Sequence, residues 1–536
     1  MINIEKKKWT LMFFFASDNT LSPSMLSQIK AIKAAGYQQD TNVLLHFDPN
    51  ERGAPTRVFE VNRNDRMLGV PSRIGDCERR LVSVMTGDDI TSMVINELPK
   101  QVDEMEAKAA LNTFLDFCRK SYPADHYMLF FVGHGMVVGR DAFLPDENPI
   151  SAIKLAELGE ILEKFCEEIK KQGGALELIG MHSCAMSGIE VAYQLQDTAR
   201  YMMASQGVSF IGAWPYRQLL IKIFKTIEAE RVNKVPVDVL QLAESLHDLC
   251  IQNSADFMIG GYSADLCLCT LSSTNVANLN EPIASLAEAL KDGLQEKRSQ
   301  ELILLAHWKS QSYWQETYTD LYDFCLCLRR LCVQEEKNRP SHDARAKGIR
   351  KVMKEACESV IGKLKPKRPD SGDGPVIRTD FIGAGSQYSH GLSIYFPWSE
   401  PIQDKNEQAL TNYEQYAFTT RLPKVAWYNF LVDYFRETRR PNPLDEDREF
   451  KDENIAHRDD PEFIQAVNNT QSAFKIPGEQ GPQSVPSTAL DGKVSPPDSG
   501  GACSCPSIKN YSQEFLMSFG ASAVFMRRET KPATAS

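Results

Sequence analysis

The chain has 536 residues, of which 42% are hydrophobic, and its formal net charge is −11 at pH 7. This length suits two or more domains, and the lack of a basic patch argues against nucleic acid as a partner. No run approaches the roughly 18 consecutive apolar residues of a membrane span, so we expect no membrane association. The 13 cysteines are odd in number and include no CxxC pair, which argues against a disulfide framework and against structural zinc.

Apolar strands alternate with helices over the first 275 residues. The first apolar stretch, Trp9–Ala16, follows a basic start, as in a signal peptide, but it is short and leads into Ser-Asp-Asn. We therefore predict a buried strand there and a cytoplasmic protein. The alternation predicts an α/β fold with a mostly parallel sheet flanked by helices. The other predicted strands are Asn42–Phe47, Arg57–Val61, Tyr127–Val132, Leu176–Ile179 and Tyr201–Ala204, and the predicted helices are Leu26–Ala35, Ile90–Cys118, Leu155–Ile169 and Met186–Leu195.

The pattern changes beyond about residue 276. Helical periodicity over Glu281–Leu294, Tyr318–Cys332 and Val425–Phe435, with a strand at 390–397, predicts a C-terminal α+β subdomain spanning residues 276–440. Residues 441–536 are charged and then rich in Pro, Gly and Ser, which predicts a partly disordered tail. We thus expect a catalytic domain over residues 1–275, this subdomain, and a dispensable tail that could bind a regulatory protein.

Two chemically active side chains lie within five residues after the ends of apolar strands. His134 comes after Tyr127–Val132, and Cys184 comes after Leu176–Ile179. In parallel α/β sheets, functional groups gather at the carboxyl ends of the strands. These two strands could be neighbours in the sheet, which would bring a thiol and an imidazole together at one edge.

This pair suits nucleophilic catalysis. A helix starting near Met186 would direct its positive end at Cys184 and favour the thiolate. His134 could act as base and then protonate a leaving amine. Gly135 permits an unusual turn, and its N–H with that of Cys184 could bind an oxyanion. The alternatives are a buried core cysteine and an ordinary His-Gly loop.

Several blocks within residues 9–435 resemble the clostripain family of cysteine peptidases, whose members have a caspase-like fold. The resemblance implies a cysteine endopeptidase for protein or peptide substrates, with Cys184 as nucleophile and His134 as base. We expect no cofactor. The blocks that carry it are "WTLMFFFASDNTL", "TFLDFCRKSYPADHYMLFFVGHG", "CAMSGIEVAYQL", "ASQ" followed by "AWPY", "YTDLYDF" and "HGLSIYFP".

Two positions depart from this family's pattern. The family usually has an acid two residues before the cysteine, where this chain has His182, and a Ser-Glu pair where it has Ser205-Gln206. A basic preference at P1, which the resemblance implies, would then need another acid. By resemblance Ser205 and Trp214 line the substrate cleft; Trp214 could instead pack on its own loop, and His182 is either a pocket residue or a core histidine.

No metal site is evident, since there is no HExxH motif and no acidic loop has the EF-hand order, although the resemblance allows for calcium. Two rival functions stay open: a catalytically impaired scaffold that binds protein partners, and a non-proteolytic thiol enzyme such as an acyltransferase. We also expect a zymogen. The segment after His134 carries Pro145 and Pro149 and lacks periodicity, which predicts an exposed loop and an activating cut between Arg140 and Lys154.

Overall fold

The centre of the fold is a nine-stranded sheet in the computed structural model, which describes residues 6–48, 50, 56–61, 88–89, 105–135, 142–147, 149–256, 263–313, 317–338, 343–369, 372–400 and 409–438. Its strands are β1 Lys7–Phe15, β2 Thr41–Phe47, β3 Arg57–Glu60, β4 Asp88–Asp89, β5 Ala124–Val132, β8 Ala175–His182, β9 Tyr201–Ala204, β10 Ala264–Thr270 and β13 Val376–Ile382. Their order in the sheet is β13-β10-β9-β8-β5-β1-β2-β3-β4. The inner strands β2, β1, β5, β8 and β9 are parallel, whereas β10 and β13 on one side and β3 and β4 on the other are antiparallel.

Two smaller sheets complete the strands of the described residues. An antiparallel hairpin joins β6 Phe143–Glu147 to β7 Ile150–Ile153. A three-stranded sheet has the order β11-β12-β14, with β11 Ser312–Tyr313, β12 Tyr318–Asp320 and β14 Ser393–Tyr395.

The helices cover both faces of the large sheet. They are α1 Ser22–Lys33, α2 Ala107–Ser121, α3 Leu155–Lys171, α4 Ile189–Gln194, α5 Tyr216–Asn233, α6 Val239–Asp256, α7 Ser273–Ala277, α8 Asn280–Leu294, α9 Lys297–Lys309, α10 Leu321–Asn338, α11 Ala344–Leu364, α12 Ala409–Glu414, α13 Ala417–Arg421 and α14 Ala426–Thr438. Within the described residues, no helix combines the length and low charge that crossing a bilayer requires.

Alternating residues of the inner strands supply two hydrophobic cores. In β1, Leu11 and Phe13 pack with α1, α5 and α6 on one face, while Met12 and Phe14 join the core on the other face with α2 and α3. A strand buried on both faces needs apolar residues at every position, which explains the unbroken run "LMFFF". The predicted α/β class, with a mostly parallel sheet flanked by helices, is confirmed.

Three local predictions are wrong. Tyr318–Asp320 is a strand, and α10 begins only at Leu321. The helix expected from Met186 begins at Ile189. Residues 143–153, expected as an exposed loop, contain the β6–β7 hairpin, because Phe143, Leu144 and Ile153 are buried in the core.

Other predictions lie outside the described residues. These are the first part of the helix Ile90–Cys118, the basic cut point Arg140, and the tail 441–536. The division of the chain at residue 275 stays a prediction.

Candidate active site

His134 and Cys184 occupy equivalent positions on neighbouring strands. Strands β5 and β8 are parallel, and their register pairs Val132 with His182. Each candidate residue therefore lies two positions beyond a paired residue, at the carboxyl edge of the sheet. A hydrogen bond from the Gly133 N–H to the His182 carbonyl, at 3.4 Å, extends the pairing by one residue. The register therefore brings the two segments to the same edge of the sheet, as we predicted.

Gly135 brings the two segments into direct backbone contact. A Cβ atom at this position would overlap the carbonyl group of Cys184 and lie 2.7 Å from its backbone nitrogen. The φ angle of Gly135 lies outside the left-handed region, so close approach, and not the unusual turn that we expected, is what requires a glycine here. Among the described residues, neither the Gly135 N–H nor the Cys184 N–H donates a hydrogen bond to another residue's oxygen.

The Cys184 thiol is buried, with a relative exposure of 3% for the residue. Its Sγ accepts a hydrogen bond from the Ser209 N–H at 3.3 Å and lies 3.8 Å from the Ser209 carbonyl oxygen. Burial raises the pKa of this thiol to about 11, and the nearby Asp265 carboxylate acts in the same direction. In this conformation the thiol pKa is therefore raised and not lowered as we expected, because burial is its largest cause, and α4 begins only at Ile189.

The sequence model of the clostripain family matches residues 13–431, which is well over half of the chain and includes both segments. The chain belongs to the clostripain family. It is accordingly a cysteine endopeptidase. Clostripain of Hathewaya histolytica is 21% identical in an alignment of 471 positions that covers 80% of this chain and 80% of that one.

Solved structures of clostripain-type proteases also resemble this chain. A secreted C11 cysteine protease of Bacteroides thetaiotaomicron, bound to an irreversible peptide inhibitor, is 16% identical, with 79% of this chain and 99% of that one covered and a TM-score of 0.43. An inactive zymogen C11 protease of Parabacteroides distasonis is 15% identical, with 78% and 99% covered and a TM-score of 0.44.

His182 lies in the core of this clostripain-family peptidase, with both ring nitrogens bonded. Nδ1 is 2.9 Å from the Tyr216 hydroxyl, and Nε2 is 2.8 Å from the Phe210 carbonyl oxygen. The ring stacks on Trp214, with the centroids 5.1 Å apart. Burial lowers the pKa of His182 to about 4, so the imidazole is neutral at pH 7.

Three residues that we expected to contact substrate are buried in this conformation. Ser205, Trp214 and His182 are each at most 3% exposed. Ser205 uses its carbonyl to accept a hydrogen bond from the Ser187 N–H at 2.9 Å. Their role in binding substrate stays a prediction.

Sequence reasoning missed Asp265 and Ser209. Asp265 lies near the start of β10, and because β10 is antiparallel to β9, its beginning lies at the edge where the parallel strands end. In the sequence, Asp265 is an acid that immediately precedes the apolar run "LCLCT". The prediction considered only residues that follow strands, so a residue at the start of a strand was missed. Ser209 acts through its backbone, which no sequence pattern reveals. Within the described residues, no group of three or more His, Cys, Asp or Glu side chains is arranged to hold a metal ion.

Proposed function

We propose that this peptidase cleaves peptide bonds with Cys184 as nucleophile and His134 as general base. The observation that carries the proposal is the β5–β8 register, which aligns Val132 with His182 and so sets both residues at the same edge, two positions beyond the aligned pair. The close packing of Gly135 on Cys184 supports it further, because it brings the backbone of the segment after His134 into contact with the backbone of Cys184.

The proposed reaction uses only these groups. His134 takes the thiol proton, and the Cys184 sulfur attacks the carbonyl carbon of the scissile bond as its π electrons move to oxygen. The N–H groups of Gly135 and Cys184 bind the oxyanion. The imidazolium then protonates the leaving amine as the C–N bond breaks, which leaves a thioester. A water molecule, deprotonated by His134, attacks the thioester, and the proton returns to the sulfur as the acid product leaves.

We also propose a basic preference at P1, although both positions that carry an acid in the family are neutral here. Two buried carboxylates contact the segment at Gln206: Asp265 accepts from its backbone N–H at 2.7 Å, and Asp320 accepts from its side-chain amide at 2.9 Å. These acids are the candidates to compensate for His182 and Gln206. An unpaired guanidinium in a buried pocket would be costly without one of them.

Three further features of the protein stay proposals. They are a cytoplasmic location, activation by a cut between Arg140 and Lys154, and a regulatory protein partner for the tail 441–536. The scaffold alternative gains no support from the family match.

A peptide-library cleavage assay with matched variants tests the function. Cys184→Ala and His134→Ala should each lower the rate at least about 10³-fold while the fold is retained, because they remove the nucleophile or its base. Cys327→Ala, at a half-buried cysteine of α10, should cleave at the parental rate. A folded Cys184→Ala protein with a tenth of the parental activity would exclude Cys184 as nucleophile. Equal cleavage after Leu and Arg would exclude the basic preference.

A further inference from the structure

A short segment covers the proposed nucleophile. Residues Gln206–Phe210, here called the lid, follow β9 and pass over the Cys184 sulfur. Besides the contact of Ser209 with the sulfur, the Ala185 N–H donates to the Gly207 carbonyl at 3.0 Å. A substrate carbonyl carbon must approach the sulfur closely, and a 3% exposed residue does not admit it. The lid must therefore move before a peptide can react.

Asp265 accepts hydrogen bonds from two backbone N–H groups of the lid. One carboxylate oxygen accepts from the Gln206 N–H at 2.7 Å, and the other accepts from the Gly207 N–H at 2.9 Å. Asp265 is 3% exposed, and among the described residues it has no Lys or Arg partner. A buried carboxylate without a cation is unfavourable unless hydrogen bonds offset its desolvation, and these two backbone donors supply them. Burial raises its pKa to about 6.

Both ends of the lid have additional ties. The Gln206 side-chain amide donates to Asp320 at 2.9 Å, and its oxygen accepts from the Gly391 N–H at 2.9 Å. At the other end, the Phe210 carbonyl contacts the His182 ring. Asp265 thus holds the first two residues of the lid, and Ser209 lies between them and the contact of Phe210 with His182.

We propose that the lid closes over the Cys184 thiol and that Asp265 is the positioning residue that keeps it closed. The inference rests on the proposed function, because closing the lid controls cleavage only if Cys184 is the nucleophile. A bound peptide opens the enzyme by replacing the contacts that Ser209 makes with the sulfur. In the closed state the thiol is protonated and shielded, so the free enzyme is protected from alkylating agents.

Alkylation of Cys184 by iodoacetamide at pH 8, measured by peptide mass spectrometry on the full chain, tests the lid independently of cleavage. Asp265→Asn places an amide NH₂ against a backbone N–H, so the lid should open. Gly207→Ala changes no charge, but its Cβ would lie 3.0 Å from the Asp265 Oδ1 and 3.1 Å from the Tyr313 ring. Asp323→Asn is the control, because this buried carboxylate accepts from the Gln311 N–H and not from the lid.

We expect Asp265→Asn and Gly207→Ala to be alkylated at Cys184 at least about tenfold faster than the parent, since each loosens hydrogen bonds to a charged acceptor. The hydrogen-exchange rate of the lid amides should rise in the same two variants. The alkylation rate of Asp323→Asn at Cys184 should stay within about twofold of the parental rate. A folded Gly207→Ala protein with the parental rate of alkylation overturns the proposal, even if Asp265→Asn reacts faster, because Asp265 would then act through its charge alone. If Asp265→Asn does not fold, Gly207→Ala decides. Loss of cleavage in Cys184→Ala tests the proposed function separately.

Discussion

Gly135 lies directly against the backbone of Cys184, so that the segment after the candidate base and the segment containing the candidate nucleophile touch without an intervening side chain. The contact is made by main-chain atoms and leaves no space for a methyl group. Because Gly135 is the residue after His134, this contact fixes the position of the His134 backbone relative to that of Cys184.

Gly135→Ala should therefore reduce cleavage strongly. The added methyl group would overlap the Cys184 carbonyl and push the two segments apart, and a displacement of about 1 Å at a catalytic site lowers rates about 10²-fold. The measurement is kcat/KM on a peptide substrate, with thermal unfolding to verify the fold. Gly348→Ala is the matched control, because a Cβ there meets no atom within 4 Å, and it should leave kcat/KM unchanged. Equal activity of the two variants would contradict this account of Gly135.

The pH dependence of thiol alkylation should reflect burial of Cys184. Because its thiol pKa is raised to about 11, the thiol is protonated at neutral pH, and the alkylation rate at Cys184 should rise about tenfold per pH unit from 7 to 9 and continue to rise above it. The unfolded chain in denaturant serves as control and should level off near pH 9. A plateau already at pH 7 in the folded protein would mean that the thiolate forms without movement of the lid.

His182 should make the protein less stable in acid. Its folded pKa, about 4, lies below that of a free histidine, so the unfolded chain binds more protons between pH 6.5 and 4, and stability falls as the pH falls. His182→Asn should cost about 1–3 kcal/mol at pH 7.5, because Tyr216 or the Phe210 carbonyl loses its partner. Denaturant unfolding at several pH values should show that the difference in unfolding free energy between parent and variant shrinks as the pH falls, by up to about 1.4 kcal/mol per pH unit. A difference in unfolding free energy that stays constant down to pH 4 would show that His182 does not titrate as described.

The activating cut should fall after Arg140 and not after Lys154. Lys154 is exposed, but Ile153 before it is fully buried, and the Lys154 N–H donates to Glu157 at 3.0 Å. A protease needs several extended residues on each side of the bond, which the β7–α3 junction does not offer. Intact-mass analysis during incubation should show that Lys154→Gln is cut like the parent and Arg140→Gln is not. Incubating Cys184→Ala alone and with the parent then separates self-cleavage from the action of another protease.

The tail should be dispensable for catalysis. Its composition cannot bury enough apolar area to fold independently. A chain ending at Arg440 should unfold at the parental temperature and retain the parental kcat/KM. An insoluble or inactive product would show that residues in 441–536, with Phe515–Met526 the first to examine, support the catalytic part.

Local sequence signals were sufficient to predict the inner strands and the sheet edge that carries His134 and Cys184. The apolar runs of β1, β5 and β8 have no competing pattern, and the side chains that follow them could be located by a general rule of parallel sheets. The prediction of His134 and Cys184 at one edge depended on nothing else.

Long-range contacts decided what the sequence could not show. Met186–Gly188 have a helical pattern, but the Ser187 N–H donates to the Ser205 carbonyl, and Gly188 pairs with Ser393, so this stretch is held extended. The lid likewise depends on Asp265, which is distant in sequence and arrives on an antiparallel strand. Tertiary hydrogen bonds of this kind override local propensity.

The turn that contains the proposed nucleophile is completed by residues about 200 positions further along the chain. The Ser187 hydroxyl donates to the Gly391 carbonyl at 2.6 Å, and Glu190 accepts from the Tyr395 N–H and the Tyr413 hydroxyl at 2.9 and 2.7 Å. During synthesis, Cys184 leaves the ribosome long before these partners exist, and the chain folds as its segments emerge. The turn at Cys184 therefore reaches the described conformation only after most of the fold has been made, and with Cys184 as the proposed nucleophile this order protects the growing chain from its own activity.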